Sequence, residues 1–219
     1  MRSLRDAIIS VKKQMRIVMV SDTHMGHWDT DIPDGDIFIH AGDATYMGTA
    51  AEFDDFNRWV GTLSFRHKIF VPGNHDFLFE ESFREGCKVV SNATCLIDND
   101  VTVDGLKIWG SPYTLAFMEW AFMENNEAGM QKHFENIPHD TDVLVTHSPP
   151  YHFGGLNGEG VNCGSRALSG AVPDKTRLHV FGHIHEGYGM KKKKKCKFVN
   201  ASVMNGLYQI VNDPVIIDL

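Results

Sequence analysis

The chain has 219 residues, of which 42% are hydrophobic and 22% charged, and its formal net charge is −7. This length suits one α/β domain over residues 1–219, and no stretch of the sequence reaches the roughly 20 apolar residues that a membrane span needs. An acidic chain offers no basic surface to duplex nucleic acid, so we expect neither a membrane nor a duplex partner.

The N-terminal segment and the cysteines indicate a cytoplasmic location. Residues 1–14 are expected to be an extension with a short helix over residues 3–13, because apolar residues recur at helical spacing from Leu4 to Val11. This apolar patch is too short for a secretory signal. The cysteines include no CxxC pair, which predicts reduced thiols rather than a disulfide framework or a cysteine zinc site. They are Cys87, Cys95, Cys163 and Cys196.

Five strand-like apolar runs each end in a polar cluster. The runs cover residues 16–20, 36–40, 68–71, 143–145 and 178–181. They are followed, in this order, by SDTH, AGD, PGNHD, THSPP and GHIH, which are rich in Asp, Asn and His. The site of an open α/β sheet lies beyond the carboxyl ends of its strands. We therefore expect the five clusters to converge in space although they are far apart in the sequence.

The segments between these runs predict the rest of the fold. Helical stripes over residues 50–63 and 127–136 are expected to pack on the sheets. Alternating residues predict strands at 94–97, 101–103 and 106–109, with Asp104-Gly105 as a hairpin turn. Further strands are predicted at 197–201 and 215–218. The predicted fold class is α/β, with two packed mixed β-sheets flanked by helices.

Taken together, the motifs DTH, GD, GNHD, TH and GHIH resemble those of the calcineurin-like metallophosphoesterase superfamily, and the resemblance extends from Arg16 to Leu219. Each motif alone also fits a turn or a helix cap, whereas five in this order are hard to produce by chance. The stretches IHAGD, FGHIHEGYG, VNAS and PVIIDL are similar to the branch of metallophosphoesterase-domain-containing proteins. The resemblance implies the four-layer sandwich of the superfamily.

The resemblance also implies which residues hold two divalent metal ions. The first ion would be bound by Asp22, His24, Asp43 and His185, and the second by Asp43, Asn74, His147 and His183. Asp43 would bridge the two ions. Residues two apart in an extended segment point the same way, which fits the spacing of the histidines in GHIH and of Asp and His in DTH.

The chemistry that the resemblance implies is hydrolysis of a phosphoester. Carboxylate, imidazole and amide ligands together suit Mn, the metal we expect first, better than Ca, with Fe, Zn, Co, Ni or Mg as alternatives. Two such ions clamp a phosphoryl group and lower the pKa of a bound water towards ~7, so a bridging hydroxide is the expected nucleophile. His75 resembles the family histidine that protonates the leaving group, and Asp76 is expected to orient it through a hydrogen bond.

The similarity to the closer branch favours a phosphodiesterase that acts on a small phosphodiester such as a cyclic nucleotide. The ligand set does not separate this function from that of a phosphomonoesterase, since both reactions use the same clamp and nucleophile. A non-catalytic scaffold that binds proteins is the third alternative, and it is disfavoured because every ligand of the set is retained.

Several other residues are candidates for a part in the site. His40 is expected to be a hydrogen-bond partner behind the ligands rather than a ligand. The five lysines at 191–195 are interpreted as a solvated hairpin tip rather than as a surface for nucleic acid or membrane. Several further residues are candidates for substrate recognition, and the equal alternative is that they form loops exposed to solvent. They are His27, Trp28, His152, Phe153, residues 154–160, Tyr188 and residues 113–120.

Overall fold

The computed structural model describes residues 14–219, so the helix expected at residues 3–13 lies outside the described residues. The strands are β1 (Arg16–Val20), β2 (Ile37–His40), β3 (His67–Phe70), β4 (Thr94–Cys95), β5 (Asn99–Val103), β6 (Leu106–Ser111), β7 (Thr114–Leu115), β8 (Met123–Glu124), β9 (Val143–Thr146), β10 (Leu178–Phe181), β11 (Gly189–Lys193), β12 (Cys196–Asn200) and β13 (Val215–Asp218). The helices are α1 (Ala50–Thr62), α2 (Phe77–Glu81), α3 (Phe83–Val89), α4 (Glu127–Phe134) and α5 (Arg166–Ala171), with 3₁₀ helices at Gly26–Asp29 and His185–Gly187.

Two mixed sheets carry the fold. The first has the order β13-β1-β2-β3-β4, in which β1 to β4 run parallel and β13 is antiparallel at the edge. The second has the order β11-β12-β10-β9-β6-β5, with parallel central strands and an antiparallel strand at each edge. Within each sheet the parallel strands share one carboxyl edge, and the polar clusters of the sequence follow these ends.

The inner faces of the two sheets pack against each other. Ile17 and Met19 of β1 belong to the same buried cluster as Val143 and Val145 of β9. Because successive side chains of a strand point to opposite faces, the intervening residues Val18 and Leu144 face outwards. A strand buried on both faces reads as a continuous apolar run, which is why these strands were found from the sequence.

Helices cover the outer faces of both sheets. Val18 packs with Phe53 and Phe56 of α1 over the first sheet. Leu144 packs with Met130 of α4 and Leu168 of α5 over the second sheet. The layers are thus helix, sheet, sheet and helix, and the predicted α/β class is confirmed.

Most elements agree with the sequence, and the differences concern short segments. The predicted hairpin turn is confirmed, since Asp104 and Gly105 have φ angles of 49° and 80°, as a two-residue turn of this type requires. The predicted helix at 127–136 ends earlier, at Phe134. Helices α2, α3 and α5 were not predicted, because five to seven residues are too few to show a helical period.

The lysine run differs in part from its interpretation as a hairpin tip. Lys194 and Lys195 lie in the turn between β11 and β12, but Lys191, Lys192 and Lys193 belong to the edge strand β11 itself. Lysines on an edge strand oppose pairing with a strand of another molecule. This role in the sheet needs no nucleic acid or membrane.

Two further expectations concern the described part of the chain. No helix within residues 14–219 is long and apolar enough to cross a membrane. The four cysteines are free thiols, as the absence of a CxxC pair predicted.

The packing of α1 on the first sheet generates a stability prediction. Phe56 is fully buried, and its ring lies 5.1 Å from the ring of Phe70, whereas Phe83 is 38% exposed. We expect Phe56→Ala to lower the free energy of unfolding by about 3–5 kcal/mol, because the substitution leaves a cavity in a packed core. The matched control Phe83→Ala is expected to cost about 1 kcal/mol or less. Urea unfolding followed by circular dichroism measures both, and equal losses would contradict the layer assignment.

Candidate metal centre

The carboxyl ends of five parallel strands bring the predicted ligands together. Asp22 and His24 follow β1, Asp43 follows β2, Asn74 follows β3, His147 follows β9, and His183 and His185 follow β10. Six of these side chains form two groups whose potential ligand atoms lie within 4.8 Å of one another. The groups are Asp22 with His24 and His185, and Asp43 with His147 and His183. A third group of this kind joins His24 and Asp43 to His75. The structure thus brings the predicted ligands together, and their division into two sets stays a prediction of the resemblance.

Asp22 is fully buried, and groups from several segments hold its carboxylate. Ser21 Oγ and Ser202 Oγ each donate to Oδ2 at 2.6 Å. The backbone N–H of His183 donates to both oxygens at 3.0 and 3.1 Å, and His185 Nε2 lies 3.5 Å from Oδ1. Burial raises the pKa of Asp22, but the hydrogen bond from His185 and the charges of nearby histidines hold this pKa well below its usual value. The carboxylate is therefore ionised and available to a cation.

Asp43 lies between the two groups. Its Oδ2 is 3.4 Å from His147 Nε2 and 3.8 Å from His24 Nε2. Its Oδ1 accepts a hydrogen bond from the backbone N–H of His75 at 2.8 Å. Asn74 joins the second group, because its Oδ1 is 2.9 Å from His147 Nε2. A carboxylate that faces imidazoles of both groups has the position that a bridging ligand needs.

Three of the predicted ligand histidines direct Nε2 towards the centre. Their Nδ1 atoms lie near backbone carbonyl oxygens: His24 at 3.3 Å from Thr45, His147 at 3.0 Å from Ala41, and His185 at 2.9 Å from Asn205. Such a contact fixes the tautomer in which Nδ1 donates and Nε2 is free to bind a metal. His24 Nε2 is buried without a hydrogen-bond partner among the described residues. A buried polar atom left in this state is costly, so a divalent cation fits this set of donors.

The protonation of the histidines divides them into two kinds. Burial lowers the pKa of His24 to about 4 and that of His183 to about 3, so both rings are neutral near pH 7 and keep a lone pair. Burial also lowers the pKa of His147 and His185, but the nearby aspartates raise both pKa values to about 9. Without a cation these two rings hold protons that metal binding would displace.

Four of the seven ligands have their backbone in the left-handed region. The φ angles are 54° at Asp22, 36° at His24, 55° at Asp43 and 68° at His183. Residues other than glycine adopt such angles rarely, at a cost of order 1–3 kcal/mol each. Strain of this kind persists where the surrounding contacts fix it, and it is concentrated at functional sites.

Two glycines allow the backbone to approach the aspartate ligands. A Cβ atom at Gly73 would lie 2.2 Å from Asp43 Oδ1, and one at Gly182 would lie 2.2 Å from Asp22 Oδ2. Any side chain at either position would collide with the carboxylate, so both positions require glycine.

His75 lies at the edge of the centre, with its ring fixed on two sides. Its Nδ1 is 2.7 Å from the carbonyl oxygen of Tyr46, and its ring stacks on Trp120 with centroids 4.1 Å apart. The ring also lies edge-on to His24 at 4.6 Å. Because Nδ1 donates to a carbonyl, Nε2 is the nitrogen left for proton transfer.

Asp76 bonds the backbone rather than the His75 ring that the sequence assigned to it. Its carboxylate accepts hydrogen bonds from the N–H of Gly73 at 2.7 Å, the N–H of Thr45 at 3.2 Å and the hydroxyl of Thr45 at 2.8 Å. Burial and then the charge of Asp43 raise the pKa of Asp76 to about 7. These bonds tie the GNHD loop to the segment that carries the bridging ligand.

Two buried histidines support the ligand loops from behind. His40 Nε2 is 2.9 Å from Thr23 Oγ1, and His179 Nε2 is 2.9 Å from Thr146 Oγ1. Each threonine directly precedes a ligand histidine. Burial lowers the pKa of both supporting histidines to about 3, so they act as neutral hydrogen-bond partners. The expectation for His40 is confirmed, whereas the sequence assigned His179 no role.

The aromatic loop, defined as residues 113–123, is held over His75 by a hydrogen bond near its C-terminal end. The N–H of Ala121 donates to the carbonyl of the ligand Asn74 at 3.0 Å. Beyond the loop, the ring of His133 in α4 lies 2.6 Å from Asp98 through Nδ1 and 3.0 Å from Glu124 through Nε2. These contacts couple the loop to the second sheet and to α4.

A cavity of about 530 Å³ lies over the centre. Its base includes the ligands His24, Asp43, Asn74, His183 and His185. Its wall includes Phe117 and Trp120 of the aromatic loop and Tyr208 from the loop after β12. A volume of this size fits a small organic ligand.

The structure brings some recognition candidates to the cavity and places others elsewhere. Asn157, Phe117 and Trp120 line it, but Tyr188 donates from its hydroxyl to the carbonyl of Asp213 outside the described lining. The other candidates that lie elsewhere are His27 and Trp28, which bond Asp55, and His152 and Phe153, which line a separate cavity of about 440 Å³. Tyr208, Cys163 and Glu186 also line the cavity, and they were not predicted from the sequence to do so. Of the three, only Glu186 could have been found there, because it directly follows His185.

Comparisons with known proteins agree with this geometry. The family model described as calcineurin-like phosphoesterase matches residues 15–187. Metallophosphoesterase domain-containing protein 1 of Homo sapiens is 36% identical over 230 residues, covering 93% of this chain and 71% of the human protein. A UPF0046 protein of Caenorhabditis elegans is 32% identical, covering 95% of this chain and 82% of its own length.

One solved crystal structure supports the fold. It superposes with a TM-score of 0.63 at 16% sequence identity, covering 85% of this chain and 90% of its own. With the family match over most of the chain and a human relative at 36% identity, this protein belongs to the calcineurin-like phosphoesterase family.

Proposed function

We propose that this protein is a dimetal-dependent phosphodiesterase that hydrolyses a small phosphodiester such as a cyclic nucleotide. The observation that carries the proposal is the pair of buried His/Asp groups, joined through Asp43, at the base of the cavity. Family membership supports a metal-dependent phosphoesterase. The mixed oxygen and nitrogen ligands suit Mn, Fe, Zn, Co or Ni better than Ca, and Mn is the metal we propose first.

The ligands divide into two sets that share one carboxylate. The first set is Asp22, His24, Asp43 and His185, and the second is Asp43, Asn74, His147 and His183. When bound, two divalent ions polarise the phosphoryl oxygen and lower the pKa of a water that attacks phosphorus. The residues of the chain provide the geometry, because hydrogen bonds and burial fix each ligand before the substrate arrives.

His75 is the proposed general acid. This role requires the doubly protonated ring, in which Nδ1 donates to the Tyr46 carbonyl and Nε2 transfers the second proton to the leaving oxygen. The stacked indole of Trp120 restricts rotation of the ring. Asp76 is proposed as a positioning residue, because it fixes the backbone of the GNHD loop.

The cavity wall supports a substrate with an aromatic group. Phe117 and Tyr208 are 58% and 45% exposed, and both line the cavity together with Trp120. Exposed aromatic rings offer a stacking surface to a nucleobase or an aryl ester. The similarity to the closer branch favours the diester, while the ligand sets suit a diester and a monoester equally.

Two substitutions separate proton transfer from metal binding. We expect His75→Ala to lower kcat about 10²- to 10⁴-fold on an unactivated diester while both metal ions are retained, because only the general acid is lost. Asp43→Asn is expected to lower metal content as well, because it removes the shared carboxylate charge. Metal analysis of purified variants and steady-state kinetics measure these effects, with the exposed His139→Ala as the control. An unchanged rate for His75→Ala would contradict the acid role.

Metal removal and substrate comparison test the function itself. We expect chelation to lower activity at least about 100-fold and added Mn²⁺ to restore it, since the ions supply the nucleophile and the clamp. With Mn²⁺, kcat/KM is expected to be higher for an artificial diester than for the monoester with the same leaving group. A panel of cyclic nucleotides then defines the substrate. Activity that survives chelation, or none with any metal, would contradict the proposal, and the second result would favour a protein-binding scaffold.

A further inference from the structure

The cavity over the metal centre contains an acidic side chain that belongs to neither ligand set. Glu186 lines the cavity directly after the ligand His185. No lysine or arginine is among the described residues that line it. Proteins that bind several phosphate charges generally provide such cations, and arginine above all. Apart from the histidines, the charged side chains of this described lining are therefore carboxylates, Asp43 and Glu186.

The carboxylate of Glu186 has a defined place between two loops. Its Oε1 would lie 2.9 Å from a Cβ atom added at Gly206 and 3.4 Å from one added at Gly158. The loops that carry Gly158 and Gly206 thus approach the Glu186 carboxylate at positions that have no side chain. Burial, and then the charges of Glu186 and Glu159, raise the pKa of Cys163, another residue of the cavity wall. The negative charge of Glu186 therefore acts on the space that a substrate would occupy.

We propose that Glu186 is a specificity-determining residue that selects substrates with a single negative charge at the phosphoryl group. The inference rests on the proposed function and deepens it. A phosphodiester carries one negative charge at neutral pH, whereas a phosphomonoester carries about 1.5 to 2. The additional charge of a monoester is repelled by the exposed carboxylate of Glu186, which lines the cavity, and salt in the solvent screens this repulsion.

This repulsion provides the discrimination that the ligand sets alone lack. Both ester classes use the same metal ions and the same attack on phosphorus. A carboxylate at the cavity wall repels both anions, and at equal distance the repulsion energy for the dianion is about twice that for the monoanion. The same argument disfavours diphosphates and triphosphates, whose further phosphates would find no lysine or arginine in the described lining.

The experiment compares the wild type with Glu186→Gln, which removes the charge and keeps the shape, and with Glu186→Lys, which reverses the charge. The matched control is Glu119→Gln, since Glu119 is an exposed carboxylate between two lining residues and is not itself in the lining. Values of kcat/KM are measured with Mn²⁺ for bis(4-nitrophenyl) phosphate and 4-nitrophenyl phosphate, which release the same leaving group. An ionic strength of about 0.05 M keeps the screening weak.

Two measurements do not depend on turnover. Calorimetric titration with inorganic phosphate gives a dissociation constant for a ligand with about two negative charges at pH 7.5. Metal analysis establishes that each variant carries the same ions. We expect Glu186→Gln to raise phosphate affinity and monoester kcat/KM by about three- to tenfold, and to raise diester kcat/KM by only about two- to threefold, because half the charge gives half the repulsion energy. Glu186→Lys should shift the ratio further, and Glu119→Gln should leave it unchanged.

Several results would overturn the inference. Equal changes for both esters, or an unchanged phosphate affinity in Glu186→Gln, would show that the charge does not discriminate. Loss of metal from Glu186→Gln would make Glu186 a ligand rather than a specificity residue. Failure of the proposed function is distinguishable, because it appears as absence of metal-dependent hydrolysis in the wild type, while the phosphate titration still tests Glu186.

Discussion

The metal centre depends on the hydrogen bonds that the buried carboxylate of Asp22 accepts. It lies at the end of β1 in the first sheet, yet it accepts hydrogen bonds from the N–H of His183 after β10 and from Ser202 after β12 in the second sheet. A buried ionised carboxylate needs several donors to offset its loss of hydration, and these donors come from both halves of the sandwich. The bonds that stabilise this charge therefore also fix how the two ligand groups lie relative to each other.

The surrounding strain is consistent with this constraint. Left-handed backbone at Asp22, Asp43 and His183 persists because contacts with neighbouring residues offset the unfavourable φ angle. Asp43 is held by the N–H of His75, and Asp22 by the donors from the second sheet. Because these side chains are already fixed before metal and substrate bind, little of their conformational entropy is lost on binding.

The polar clusters could be located from the sequence because each follows a strand with a clear apolar run. A strand buried on both faces and a polar cluster after it are local patterns, and the topology rule predicts that the clusters meet. Which side chains of DTH, GNHD and GHIH bind metal was implied by the resemblance to the family's motifs. The packing of both sheets and the helix α1 followed from the same local patterns.

The missed features depend on contacts between distant segments. His179 supports Thr146 across neighbouring strands, and it looks in the sequence like any buried polar residue of β10. Trp120 stacks on His75 only because Ala121 is bonded to Asn74. The orienting bond assigned to Asp76 was misplaced for the same reason, since adjacency in the sequence says nothing about which backbone N–H groups converge on a side chain.

The centre and the cavity wall are built from different parts of the fold, and this separation has a consequence for specificity. The ligands are fixed by buried bonds between strand ends, whereas Phe117, Tyr208 and Glu186 lie on loops or loop-like segments with exposed side chains. The hydrogen bonds from Ser202 and His183 to Asp22, and from His75 to Asp43, involve none of these three wall side chains, so we expect substitutions in the wall to affect the substrate more than the metals. Loops on a rigid scaffold are the general means by which one catalytic centre serves different substrates. In this chain the wall joins aromatic surface to a carboxylate, and the proposed preference for an ester with an aromatic group and one negative charge rests on that combination.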